Sequence, residues 1–158
     1  MKILVSACLL GLPTRYDGKD SKSQSLVDLL IGRDISFLPL CAEQLGGLET
    51  PRIPCEIEPG HTSKDVIDNK AKVYNSEAED KTESFIKGAK IILSFCKKHN
   101  IKKAVLKEKS PSCGVHKVYN GEFDGKLKEG RGILTELLLQ NGITVYTVDE
   151  FIKMVMKK

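Results

Sequence analysis

The most chemically versatile side chains in this sequence are those of its five cysteines, Cys8, Cys41, Cys55, Cys96 and Cys113. Thiolates bind soft metals and act as nucleophiles. Five is an odd number, and no two of these cysteines have the CxxC spacing of a local metal clip or redox motif. We therefore interpret them as metal ligands, catalytic groups or buried apolar residues rather than as a disulfide framework.

Composition and apolar runs indicate a globular protein with a packed core. Of the 158 residues, 41% are hydrophobic and 29% are charged, which is typical of a single folded domain. No apolar run approaches the roughly 20 residues of a membrane span, and the stretch from Ile3 to Val5 is too short for a signal peptide. We expect one domain over residues 1–158, no membrane partner, and a cytoplasmic location that keeps the thiols reduced.

The charge distribution favours a small-molecule partner. The net charge of +4 is modest, and the lysines are spread along the chain. A surface that binds nucleic acid would show a denser basic stripe. We therefore expect a solvated lysine surface and do not expect a nucleic-acid partner.

The hydrophobic pattern alternates between short strand-like runs and helical stripes. It predicts strands at Lys2 to Ala7, Ile35 to Leu40, Lys102 to Leu106 and Ile143 to Tyr146, and a further extended segment at Val66 to Tyr74. It predicts helices at Leu26 to Gly32, Phe85 to Cys96, Ile133 to Leu139 and Val148 to Met156. This alternation predicts a single-domain α/β fold, an open and mostly parallel sheet with helices on both faces.

Three cysteines follow predicted strands, either directly or after a short loop: Cys8, Cys41 and Cys113. In open α/β sheets, ligands bind beyond the carboxyl ends of the strands, so we expect these three thiols to share one site. The segment from Cys41 to Gly60 predicts a long irregular loop at that site. Three thiolates leave one position open on a tetrahedral zinc ion or on one iron of a four-iron cluster, and composition does not choose between them.

The remaining cysteines and a histidine carry weaker signals. Cys96 extends the apolar stripe of its helix, so we expect it in the core. Cys55 ends the stiff stretch Pro51 to Cys55 near the proposed site, and we interpret it as a bystander rather than a ligand. His116 has a CxxH spacing from Cys113, which would favour zinc, but a lone histidine beside a lysine is more often a surface residue.

Several further motifs occur together along nearly the whole chain. They are Val5-Ser6-Ala7-Cys8-Leu9-Leu10-Gly11, Arg15-Tyr16-Asp17-Gly18, Cys41-Ala42-Glu43 with Gly46-Gly47-Leu48, Pro51-Arg52, Ser110-Pro111-Ser112-Cys113-Gly114, and Tyr119-Asn120-Gly121 with Phe123. In this combination the chain resembles the bacterial thiouracil desulfurase family. The combination is specific to the family, though not to one substrate.

The resemblance implies an iron-sulfur enzyme. It implies an oxygen-sensitive 4Fe-4S cluster held by Cys8, Cys41 and Cys113, with the fourth iron open to sulfur. The implied substrate is a small thiolated heterocycle such as thiouracil, whose sulfur leaves as hydrosulfide and is replaced by water without net redox change. The same resemblance implies that Glu43 is the acid/base group and that Ser110 positions the substrate.

Five other residues are candidates for substrate binding: Ser6, Arg15, Tyr16, Asp17 and Ser112. The serine hydroxyls flank the cysteines and can donate to sulfur or to a bound substrate. The segment from Arg15 to Asp17 either forms a turn held by an internal ion pair or lines the pocket for a planar heterocycle. Both interpretations stay open, since Asp-Gly is a strong turn signal.

The chain departs from the usual pattern of the family at three places. Ala42 stands where proline is common, Cys55 where alanine is common, and Asp80-Lys81-Thr82 where Asp-Val-Thr is usual. Loss of the proline loosens the backbone that carries Glu43. Two alternatives also remain, namely a hydrolase that uses zinc or a cysteine nucleophile, and a non-catalytic metal or redox sensor.

Overall fold

Helices and strands alternate along residues 1–157, the part of the chain that the structure, a computed structural model, describes. The strands are β1 (Lys2–Ser6), β2 (Ser36–Leu40), β3 (Cys55–Ile57), β4 (Val73–Asn75), β5 (Lys103–Val105), β6 (Lys117–Tyr119), β7 (Leu127–Glu129) and β8 (Thr144–Tyr146). The α-helices are α1 (Gln24–Gly32), α2 (Ala42–Leu45), α3 (Ser63–Ile67), α4 (Thr82–Lys98), α5 (Ile133–Gln140) and α6 (Val148–Met156). A 3-10 helix, Ala7–Leu10, directly follows β1.

Four strands form a parallel sheet in the order β2-β1-β5-β8. Strand β1 pairs with β2 on one side, from Lys2 opposite Ser36 to Ser6 opposite Leu40. It pairs with β5 on the other side, with Leu4 opposite Ala104. The chain thus crosses first to one side of β1 and then to the other, which creates a crevice at the carboxyl ends of β1 and β5. The predicted open parallel sheet is confirmed.

Helices cover both faces of this sheet because its central strand is apolar on both faces. In β1, Ile3 and Val5 pack with residues of α1 and α6, whereas Leu4 packs with residues of α4 and α5. A continuous apolar run of this kind is typical of a parallel strand with no solvent-facing side. The predicted α/β fold with helices on both faces is therefore confirmed.

The longest helix, α4, packs against the core through a single stripe of buried side chains. Phe85, Ala89, Ile92 and Cys96 recur on one face and are all buried. Cys96 is 0% exposed and belongs to the core, as its position in the stripe predicted. Within the described residues, no helix combines the length and the apolar character that crossing a bilayer requires.

Two local predictions were wrong in part. The predicted extended segment from Val66 to Tyr74 begins inside α3 and reaches β4, which pairs with β3. Helix α3 starts at a capping box in which Thr62 and Asp65 each bond to the other's backbone. The predicted irregular segment from Cys41 to Gly60 contains α2 and β3, and the hairpin of β6 and β7 was not predicted. These short elements lack the apolar runs and helical stripes that predicted the strands of the sheet and the longer helices.

Helices α2 and α4 touch through their backbones. A side chain on Gly88 would place its Cβ 1.9 Å from the Ala42 carbonyl oxygen, and one on Gly46 would place it 1.9 Å from the Ser84 oxygen. Glycine at both positions therefore allows α2, which carries Glu43, to lie directly on the longest helix.

We expect Gly88→Ala to destabilise the protein by about 1–3 kcal/mol, because the new methyl group separates α2 from α4. The matched control is Gly32→Ala in α1, where a Cβ meets nothing within 4 Å. That change should be neutral or stabilise by about 0.4–1 kcal/mol. Urea unfolding followed by circular dichroism measures both, and equal midpoints for the two variants would contradict the close packing.

Candidate functional site

A cavity of about 610 Å³, here called the main cavity, opens beyond the carboxyl ends of β1, β2 and β5. It lies at the crevice that the strand order creates. Nine of the ten candidate site residues line it, namely Ser6, Cys8, Arg15, Tyr16, Cys41, Glu43, Ser110, Ser112 and Cys113. The sequence thus predicted a large part of the wall of this cavity, and further residues such as Arg52, Glu56 and Lys107 complete it.

Three loops bring the cysteines to the main cavity from three adjacent strands. Cys8 lies in the 3-10 helix after β1, Cys41 joins β2 to α2, and Cys113 lies in a turn after β5. Cys8 and Cys113 are buried, whereas Cys41 is partly exposed. The three thiols are close enough for the charge on Cys41 to raise the pKa of both of the others.

Burial keeps the two inner thiols protonated unless a cation compensates. It raises the pKa of Cys8 to about 11, while the positive charges of Lys107 and Arg15 lower it. Burial likewise raises the pKa of Cys113 to about 12, although a hydrogen bond with Ser6 lowers this pKa. A metal centre would stabilise the thiolates, because metal binding releases the thiol protons.

The turn that presents Cys113 is wound around the side chain of Ser110. Its Oγ accepts hydrogen bonds from the backbone N–H groups of Ser112 and Cys113, both at 3.1 Å. The following backbone is held by Glu108, whose Oε1 accepts from the N–H groups of Val115 at 2.6 Å and His116 at 3.0 Å. Ser110 therefore shapes the turn in addition to facing the cavity.

Glu43 is fixed at both carboxylate oxygens. It lies in the first turn of α2, and its Oε2 accepts from Ser112 Oγ at 2.8 Å and from Ser110 Oγ at 3.3 Å. Its Oε1 accepts from Arg52 Nε at 3.0 Å. The carboxylate is thus held beside the Cys113 turn, with two hydroxyls on one oxygen and a cation on the other.

Arg52 is a site residue to which the sequence assigned no role. Its side chain also donates to the Thr14 carbonyl oxygen at 3.0 Å and to Thr50 Oγ1 at 2.9 Å. Its backbone N–H donates to the Tyr16 oxygen at 2.7 Å. One guanidinium therefore joins α2 to two loops. Pro51-Arg52 is one of the sequence motifs, but a contact between two irregular segments leaves no regular spacing in the sequence from which this role could be predicted.

The segment from Arg15 to Asp17 forms a turn beside the main cavity, and its contact with a substrate stays a prediction. Arg15 Nη2 lies 3.0 Å from Asp17 Oδ2, and Asp17 Oδ1 accepts from the backbone N–H of Lys19 at 3.0 Å. The turn is therefore held by an ion pair. Arg15 and Tyr16 also line the main cavity, whereas Asp17 is not among its lining residues.

Ser6 and Ser112, two of the three candidate serines, are buried and bond to other site residues. Ser6 Oγ accepts from the Lys107 N–H at 3.0 Å, and its hydrogen bond lowers the pKa of Cys113. Ser112 Oγ lies 3.8 Å from Cys113 Sγ. Both hydroxyls therefore lie beside the Cys113 thiol, and their contact with a substrate stays a prediction.

Cys55 and His116 occupy different positions relative to the site. Cys55 lines the main cavity, and burial followed by the charge of Glu43 raises its pKa to about 12. His116 points outward, with Nε2 3.0 Å from Glu150 Oε2, and is not among the lining residues. Across residues 1–157, no three or more His, Cys, Asp and Glu side chains are gathered closely enough to hold a metal ion.

Comparison with known proteins assigns the chain to a family. The sequence model of a family described as 2-thiouracil desulfurase matches residues 3–150. The chain belongs to this family. The solved structure of the 4Fe-4S-dependent thiouracil desulfidase TudS is similar in fold, with a TM-score of 0.85 and 38% identity over 99% of this chain and 96% of TudS.

A relative in Bacillus subtilis (strain 168), the uncharacterized protein YbbK, is 40% identical over 148 residues. These residues make up 94% of this chain and 96% of YbbK. The likeness to each relative thus extends over more than nine tenths of this chain. Membership of the 2-thiouracil desulfurase family, which the motifs predicted, is confirmed.

We expect Arg52→Met to destabilise the protein by about 3–5 kcal/mol, because it leaves the Glu43 carboxylate without its cation in a nearly buried position. The side chains of this pair are 8% and 13% exposed. The control is Arg15→Met. The side chains of the Arg15–Asp17 ion pair are 35% and 25% exposed, so this pair should contribute only about 0–1 kcal/mol to the free energy of unfolding. Urea titration measures both variants, and equal losses of stability would show that Arg52 does not anchor Glu43.

Proposed function

We propose that this protein is a cytoplasmic desulfurase that replaces the sulfur of a small thiolated heterocycle, such as thiouracil, by oxygen. We further propose that it uses a 4Fe-4S cluster held by Cys8, Cys41 and Cys113. The observation that carries the proposal is the convergence of three thiols from three strand ends on one cavity that also contains an anchored carboxylate. The family of the chain, and the name of its relative TudS, support the same reaction.

The donor set fits an iron-sulfur cluster. The three candidate ligands are all cysteines, and His116 is turned away from them towards Glu150. Thiolates are the usual ligands of iron-sulfur clusters, and a cluster spaces its ligands farther apart than a single ion does. Lys107 and Arg15 supply positive charge beside Cys8, which favours its thiolate. When bound with three protein ligands, such a cluster supplies an iron with an open position that attracts sulfur.

The overall reaction needs two proton movements and no electrons. Water adds its oxygen at the thiocarbonyl carbon, the carbon-sulfur bond breaks, and both protons of the water are handed on, ultimately to sulfur or to solvent. Carbon keeps its oxidation state because oxygen replaces sulfur in the same double bond. The residues of the chain must therefore accept a proton near the attacking water and return one near the departing sulfur.

Glu43 is the group placed to move these protons. Because Arg52 occupies Oε1, the oxygen open to exchange is Oε2, which the hydroxyls of Ser110 and Ser112 approach. The two hydroxyls lie 2.8 Å apart, so they connect the cavity to the carboxylate by hydrogen bonds. We assign proton transfer to Glu43 and positioning of the substrate to Ser110.

The substrate is held by groups around the mouth of the main cavity. Arg15 and Tyr16 line it and can bond to the polar edge of a planar heterocycle or pack on its face. Asp17 orients Arg15 through their ion pair. Ser6 and Ser112 line the same cavity and can donate to sulfur or to the ring, and Lys107 adds a positive charge that favours a departing hydrosulfide anion.

We expect protein prepared without oxygen to hold close to one four-iron cluster per chain. Cys8→Ser, Cys41→Ser and Cys113→Ser should each lose it. Cys55→Ser and Cys96→Ser are the matched controls and should keep it, although Cys96→Ser should destabilise the core by about 1–3 kcal/mol because it buries a hydroxyl. Iron and sulfide content measure the cluster. Stoichiometric zinc without iron in the wild-type protein would contradict the proposal.

We expect Glu43→Gln to keep the cluster and the apparent substrate affinity but to lower turnover by about 10²–10⁴-fold, since the amide keeps the size and removes the base. Hydrosulfide release and loss of thiocarbonyl absorbance from thiouracil, followed without oxygen at saturating substrate, measure the rate. Glu49→Gln is the control, because this nearby carboxylate is exposed and does not line the main cavity.

An undiminished rate in Glu43→Gln, with active wild-type protein, would remove Glu43 from the mechanism. Wild-type protein that holds the cluster but does not act on thiouracil would instead show that the substrate is a different sulfur compound.

A further inference from the structure

One side of the main cavity is formed by a segment that the proposed mechanism does not use. This hairpin loop, residues 120–126, joins β6 to β7. Tyr119, Phe123 and Gly125 line the main cavity. A second cavity of about 260 Å³, here called the side cavity, lies against the same loop and also includes Phe123 and Glu56 in its wall. Phe123 therefore stands between two spaces, with 37% of its surface exposed.

The backbone of the hairpin loop is wound tightly. Gly121, Phe123 and Gly125 all have positive φ, of 93°, 55° and 76°. A bulky residue such as phenylalanine is uncommon in this region and persists there only when its surroundings impose the conformation. The interaction that imposes it must therefore lie close to Phe123.

That interaction comes from Glu56 on β3. Its Oε1 accepts the backbone N–H of Gly121 at 2.8 Å and that of Phe123 at 3.3 Å. Glu56 is buried, and burial raises its pKa although these two bonds oppose the rise. The loop lies so close to β3 that a Cβ on Gly121 would be 2.4 Å from the Ile57 oxygen. Strand β3 thus holds the loop through one carboxylate oxygen.

We propose that Glu56 is a positioning residue that fixes the hairpin loop, and that Phe123 is the specificity-determining residue which it places as a wall of the main cavity. This inference rests on the proposed function, because the wall suits the face of a planar heterocycle. Aromatic rings pack on such faces, and Phe123 also closes the main cavity towards the side cavity.

The first experiment tests whether Glu56 holds the loop. The chain has no tryptophan, so Phe123→Trp introduces a single fluorescent reporter at the loop. In this background, Glu56→Leu removes the acceptor, whereas Glu56→Gln keeps an oxygen that can accept the same two N–H groups. Glu122→Gln is the matched control, an exposed carboxylate on the same loop.

Acrylamide quenching and the emission maximum are measured on anaerobically prepared protein with equal cluster content. We expect Glu56→Leu to increase quenching and shift emission to longer wavelength, and Glu56→Gln to stay close to the Phe123→Trp parent. Unchanged quenching in Glu56→Leu would overturn the positioning role. Equal effects of Glu56→Leu and Glu56→Gln would overturn the role of the acceptor oxygen.

The second experiment tests the wall, using thiouracil as the substrate. We expect Phe123→Ala to raise KM by about 5–100-fold with little change in kcat, because loss of a stacking surface weakens substrate and transition state alike. Glu56→Leu should raise KM in the same direction, Glu56→Gln much less, and Glu122→Gln not at all. Phe123 is exposed on a loop, so we expect Phe123→Ala to fold. Its KM therefore tests the wall even if Glu56→Leu does not fold.

The outcomes separate the two proposals. Active wild-type protein with an unchanged KM in Phe123→Ala would overturn the wall and leave the proposed function standing. Wild-type protein inactive on thiouracil would overturn the function for this substrate and the wall with it. In that case the quenching measurements would still decide whether Glu56 holds the loop, because they need no turnover.

Discussion

The parallel alignment of β1, β2 and β5 is the constraint on which the rest of the site depends. Because neighbouring parallel strands end at the same edge, Cys8, Cys41 and the turn containing Cys113 reach one cavity although they are far apart in the chain. The alignment is secured by the apolar β1, which is packed by helices on both faces. A shift of one residue in its register would turn its core side chains to the opposite face and move the loop that carries Cys8.

Burial gives this arrangement its chemical character. Removal from water raises the pKa of Cys8 and Cys113, so these thiols need positive charge to ionise. The nearby cations Lys107 and Arg15 supply part of it, and a metal centre would supply more. The same low-dielectric surroundings strengthen the hydrogen bonds on Glu43, whose position must be accurate if it is to move protons at a small substrate.

Charged side chains hold the irregular loops where regular secondary structure is absent. Arg52 joins α2 to the loops that contain Thr14 and Thr50. Glu108 accepts the backbone N–H groups that follow the Cys113 turn, and Glu56 does the same for the hairpin loop. In each case one planar side-chain group makes several hydrogen bonds, which replace the repetitive hydrogen bonds of a helix or sheet. Precision at the site therefore comes from a few long-range contacts.

The sequence by itself determined the fold class, the four strands of the parallel sheet, the core position of Cys96 and the family, because these follow from periodicity and from short motifs. It also indicated nine of the residues that line the main cavity, since residues after parallel strands lie at the same edge of the sheet. Only the tertiary structure showed that Arg52 anchors Glu43, that Asp17 bonds within its turn, and that Glu56 holds the loop of Phe123. The short elements outside the parallel sheet, such as α3 and β6, were likewise decided there. The physical reason is that periodic burial leaves a local signature in the sequence, whereas a bond between two irregular loops depends on where the whole chain has placed them.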